Sequence, residues 1–178
     1  MNIMKKYLGV VFFGVSAIVL AFLLYFSVAD EIAKRQNTEK IETMIKGRLD
    51  SLKMMQVAYK DMKGDYANNF DDLFNFMKNG KIAKLKQVGD VDGEVVNVKQ
   101  DTIFVNPILE LFKNENVKID HMRFVPPYDT AKFKMASARI MKNNISVPVF
   151  EIEDPHPVGE KALKIGDIND AVTTGNWK

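Results

Sequence analysis

From Tyr7 to Ala29 the chain carries no charged side chain, and only Gly9, Gly14, Ser16 and Ser27 interrupt a run of Val, Phe, Ile, Leu, Ala and Tyr. That is about the ~20 residues needed to cross a hydrocarbon core of ~30 Å. A lone segment in lipid satisfies its peptide groups only as a helix, and no proline precedes Pro107 to break one. The stretch therefore predicts an uninterrupted membrane helix. A buried core helix of a small soluble domain is set aside, because nothing else in the chain is apolar enough to cover it on all sides. A cleaved signal peptide competes through Lys5, Lys6 and the small-residue pattern Ser27-Val28-Ala29. The apolar stretch exceeds the ~7–15 residues of a signal core, which favours a retained anchor.

The flanks orient the span. Lys5 and Lys6 precede it and Asp30 and Glu31 follow it, ahead of Lys34 and Arg35, which puts the amino terminus in the cytoplasm. The 178 residues suit one ordinary domain plus this appendage. The expected division is a tail and span over 1–29, a helical stalk over 30–40, and a periplasmic domain over 41–178. With Lys5 and Lys6 set aside, the 25 basic residues balance the 23 acidic ones. A neutral exported domain argues against nucleic acid, which requires clustered cations. The chain has no cysteine, so disulfides and thiolate metal sites are excluded.

Residues 30–40 are polar and free of Gly and Pro, with Glu31 and Arg35 at i,i+4 spacing, and read as a solvated continuation of the membrane helix. Ile41, Ile45, Leu49, Leu52, Met55, Tyr59 and Met62 then recur at steps of three or four, predicting an amphipathic helix that Gly64 ends. Met44, Met54, Met55 and Met62 are read chiefly as core filling. A second helix is expected in NNFDDLFNFMKNG, capped by Asn68 or Asn69, buried through Phe70, Leu73, Phe74 and Met77, and stopped at Asn79-Gly80. Beyond it, strands are expected at 81–88, 94–99, 101–105, 121–125, 133–141 and 145–152, with one helical turn at 107–113. Asn143-Asn144 suits a tight hairpin turn, and Pro148 suggests that the last of these strands lies at a sheet edge. After Asp154 the tail reads as loop, pinned by Trp177. The fold class is α+β: an N-terminal transmembrane helix continues into a long amphipathic helix packed on an antiparallel β-sheet.

A membrane helix running into an amphipathic helix that ends in QVAYKDMKGDY, then FDDLFNF and antiparallel strands, resembles in layout the type IV pilins and pseudopilins. The chain departs from them in lacking a Gly-Phe-Thr-Leu-Ile-Glu-like cleavage motif before the span and a glutamate inside it. KIAKLKQVG, DTIFV, the long hairpin and the closing TTGNW are similar to small single-span envelope proteins of the kind associated with ExbB/ExbD-type motor complexes. That second resemblance implies an accessory or structural subunit, with inner-membrane proteins as partners. The span has no membrane aspartate, so proton conduction by this chain is not expected.

Chemistry-bearing residues are sparse. His121 and His156 lie on different segments without a metal-ligand partner at i,i+4 and read as surface or strand histidines. Asp90, Asp92 and Glu94 lack the closing ligand of a calcium loop and read as a polar turn. Glu151, Glu153 and Asp154 form an acidic run that offers a docking point for a basic partner, together with Trp177; the plainer reading is a solvated strand end. Gly14, Ala17 and Ala21 share one face of the span, where small side chains let membrane helices approach. No nucleophile elbow, phosphate loop or dinucleotide fingerprint occurs, so neither catalysis nor a cofactor is expected. The expected role is a non-enzymatic subunit of an inner-membrane envelope complex, its contacts being the bilayer, partner subunits and further copies of itself. The alternatives are a pilin-like assembly protein and a tethered module for a small ligand.

Overall fold

The computed structural model describes residues 3–88, 99–113, 117–159 and 161–177, without the side chains of 3–11, 85–88 and 99–102. Helix α1 runs Ile3–Lys63 and carries residues of two compact units, Met1–Lys40 and Ile41–Lys178. In the first unit α1 is long and apolar enough to cross a membrane, by length and composition, and its apolar stretch is unburied.

The second unit is α+β. It contains the rest of α1, then α2 (Phe70–Asn79), β1 (Ile82–Val88), β2 (Lys99–Val105), α3 (Pro107–Phe112), β3 (Lys134–Lys142), β4 (Ile145–Glu153) and β5 (Lys164–Gly166). β1 and β2 form an antiparallel pair, while β3, β4 and β5 form an antiparallel sheet in that order.

The periodicity of α1 becomes burial. Ile45, Leu49, Leu52 and Met55 are fully enclosed and Ile41 nearly so, while Tyr59 is half-buried. The stripe ends there, because Met62 is exposed. Met44 and Met54 are exposed as well, so of the four methionines read as core filling only Met55 is buried. Met44 and Met54 lie off the line that faces the core, and Met62 lies past its buried end. Gly64 takes φ +83°, the left-handed conformation in which glycine ends a helix without a Cβ clash.

α2 starts as expected, the Asn69 side chain accepting the Asp72 N–H at 2.8 Å. Leu73, Phe74, Phe76 and Met77 turn inward, and Phe76 meets Tyr59 of α1 edge-on at 5.2 Å. The other layer is β4, whose Val149, Phe150 and Ile152 are buried. Tyr66 lies 4.6 Å from the ring of Phe150. Asn143 and Asn144, at φ 51° and 64°, make the tight β3–β4 turn that their side chains tolerate.

Several expected elements differ. Residues 121–125 are not a strand: Ile119–Arg123 is a 3-10 turn, and Phe124 alone forms a bridge, to Lys132. Arg48 Nη1 on α1 fixes it there, donating to the carbonyls of His121 at 3.1 Å and Phe124 at 2.8 Å and to Asp129 at 3.0 Å. β2 begins at Lys99, two residues before the expected strand; residues 94–98 and the GDVDG turn lie outside the described residues. β4 is central in its sheet rather than an edge, yet β5 covers only Glu151 to Glu153, so Pro148 has a ladder partner on the β3 side alone. Its missing N–H is thereby tolerated. The tail read as loop contains β5, held by short pairing and by Gly166 at φ +78°, where a Cβ would strike the Phe150 carbonyl.

One polar residue belongs to the core. Gln56 is fully buried, donates to the Ala67 carbonyl at 2.9 Å and accepts the Ala67 N–H at 2.9 Å. It ties the chain leaving α1 back onto the helix. Gln56→Ala strands both backbone groups and is expected to destabilise the full-length protein by about 1–3 kcal/mol. Leu49→Ala is expected to cost about 2–5 kcal/mol, whereas Met44→Ala at the exposed face stays within about 0.5 kcal/mol. Urea unfolding in detergent micelles, followed by Trp177 fluorescence, checks all three.

Candidate functional site

Three features stand apart from the core: the apolar stretch of α1, the acidic end of β4, and a groove beside α1. In the apolar stretch of α1 the large side chains face outward, with Phe13 and Phe12 the most open at 74% and 70% exposure. Phe22 and Phe26 stack at 6.4 Å one turn apart. Gly14, Ala17 and Ala21 are exposed too, and nothing lies within 4 Å of a Cβ placed on Gly14. The helical phase brings these small residues to one face, as their spacing requires.

The acidic end of β4 is only partly solvated, with Glu151 and Glu153 half-buried and Asp154 buried. Alternation places Glu151 and Glu153 on one side of the strand and Ile152 on the other, in the core. Glu151 accepts from Lys164 Nζ on β5 at 2.9 Å, and Lys164 also reaches Asp167 at 3.1 Å. These bonds, the Glu151 one foremost, hold the Lys164 ammonium above its usual range. The Asn169 N–H and Lys164 together hold the Asp167 carboxyl below its usual range. Asp154 is 1% exposed: the chain turns there, its N–H donating to the Leu163 carbonyl at 2.9 Å, and its Oδ1 accepts the His156 N–H at 2.9 Å. It therefore drops out of any surface that a partner would touch. Trp177 is half-buried against the core and covers Gly175, which bridges to Ile165. It closes the tail over β5.

The groove was not legible beforehand. Its floor is Val57, Ala58, Met54 and Met62 of α1 with Ile82 of β1 and Leu111 of α3, and it encloses about 420 Å³. Lys53 and Asp61, two turns apart on α1, stand at its rim. Met54 and Met62 are the signal that sequence reading assigned to the core instead.

Among the described residues no group of three or more His, Asp or Glu side chains is placed to hold a metal ion. His121 and His156 are both exposed and sit on separate segments. Asp90, Asp92 and Glu94 lie outside the described residues. Comparisons with protein-family models, with curated proteins and with solved structures found no match to this chain.

The Glu151–Lys164 pair is a half-exposed contact, screened by solvent. A double-mutant cycle of Glu151→Gln and Lys164→Met is expected to give a coupling of about 0.5–1 kcal/mol at low salt that shrinks as salt is added. A coupling that ignores salt would contradict this geometry.

Proposed function

We propose that the protein is a non-enzymatic, single-pass subunit of a bacterial inner-membrane envelope complex, of the ExbB/ExbD-like motor or secretion type. Its amino terminus is cytoplasmic and the unit over 41–178 periplasmic. The observation that carries the reading is the outward-facing apolar surface of α1 from Phe12 to Val28, including Phe13, Leu24 and Phe26. Such a surface is stable in lipid or against other apolar helices, and unstable in water. Along it the Gly14, Ala17 and Ala21 face lets a partner helix approach closely.

Outside the membrane, β1 and β2 pair only with each other among the described residues, so each has an edge available for strand addition by a neighbouring subunit. The neutral charge of the domain suits docking between proteins rather than to nucleic acid.

A second reading, a tethered module for a small apolar ligand, is favoured by the groove at Met54, Val57 and Met62, whose volume falls within the ~300–1,000 Å³ of ligand sites.

Purification in mild detergent from native membranes, with Leu substituted together at Gly14, Ala17 and Ala21, tests the subunit reading. The unaltered protein is expected to bring multi-span partners in stoichiometric amount. The leucine variant is expected to stay in the membrane and lose most of them, because bulky side chains separate the helices. Recovery of the unaltered protein alone sinks the subunit reading, and partners held equally by the variant remove the role of that face.

A further inference from the structure

Asp154 is a buried carboxyl that neither the span nor the docking edges use. One oxygen, Oδ1, accepts the His156 N–H at 2.9 Å; the other, Oδ2, is buried with no hydrogen-bond partner among the described residues. An ionised carboxylate so placed lacks the hydrogen bonds that would replace its water. The segment that Asp154 starts lies on α1: at Gly159 a Cβ would collide with Oε1 of Glu42, so the backbone sits directly on that side chain. Glu42 is itself held by Lys46 at 2.8 Å, and the segment's near end is closed by the Asp154 N–H to the Leu163 carbonyl at 2.9 Å.

We propose that Asp154–Gly159 is a pH-dependent strap on α1: neutral Asp154 keeps it seated over Glu42, and ionised Asp154 releases it. His156 lies within the strap and Glu153 just before it; on α1 Glu42, under Gly159, is held by Lys46, and on β5 Lys164 is already bound by Glu151 and Asp167. Burial pushes the Asp154 carboxyl above the ordinary 3.8, opposed by the His156 N–H and the charge of His156. Because the seated form prefers the proton, seating is strongest below the ordinary value and weakens as pH rises through the raised one.

Hydrogen exchange on the full-length protein in detergent micelles, from about pH 4 to pH 8 and corrected for intrinsic rates, reads the strap directly. Protection at the amides of Asp154 and Gly159 is expected to fall at least ~tenfold with rising pH while that of Ile152 in β4 holds. Asp154→Asn is expected to make protection independent of pH; if its β4 amides show that it has not folded, Asp154→Ser, which still accepts the His156 N–H, takes its place. His156→Asn is expected to keep the pH dependence and move its midpoint upward, since the cation that favours ionised Asp154 is gone. Flat protection in the unaltered protein overturns the proposal, as does a pH dependence that survives loss of Asp154 or disappears with His156.

Discussion

The stripe Ile41, Ile45, Leu49, Leu52 and Met55 on α1 is the surface on which the 41–178 unit closes. α2 reaches it through Phe74 and Met77, the 3-10 turn through Ile119, and the β3–β5 sheet through Phe150, Ile152 and Ile165, all in one buried cluster. A buried aliphatic or aromatic side chain contributes about 1.5–3 kcal/mol by leaving water, so this line supplies much of the drive that orders the chain beyond it. Around it the polar groups follow. Gln56 binds the backbone of Ala67 just after the helix, and Arg48 gathers the carbonyls of His121 and Phe124 with the carboxylate of Asp129. α1 thus organises the unit from one edge of the stripe to the other.

The same helix follows a different pattern further back. Between Phe12 and Val28 its large apolar side chains are open, whereas past Ile41 they form one face and are closed. No periodic stripe is needed where the surroundings are lipid on every side, and one is required where a core lies on one side and water on the other. Residues 30–40 carry Asp30, Glu31, Lys34, Arg35, Glu39 and Lys40 and belong to neither pattern.

What the sequence revealed was whatever repeats locally. The long apolar helix, the amphipathic stripe, the Asn69 cap, the left-handed Gly64 and the Asn143-Asn144 turn each depend on residues close together in the chain. The misread features depend on distant ones. His121 to Val125 has a strand-like composition, yet Arg48, remote in sequence, takes two of its carbonyls and holds a turn. Asp154 reads as the tip of a solvated acidic run until Leu163 folds back to bond it. Met54 and Met62 sit within a helical turn of core residues, and only the positions of β1 and α3 show that they floor a groove. A polar residue such as Gln56 on an apolar helix gives no sign, from spacing alone, that its partner is a peptide group in the turn that follows.

The central claim is that α1 is a membrane anchor and a domain core in one helix. Its most direct test is alkaline extraction of native membranes followed by intact-mass measurement of the protein recovered. The account predicts that the chain stays with the lipid and keeps the residues up to Ala29. Release into the soluble fraction, or a mass lacking the residues up to Ala29, would contradict it.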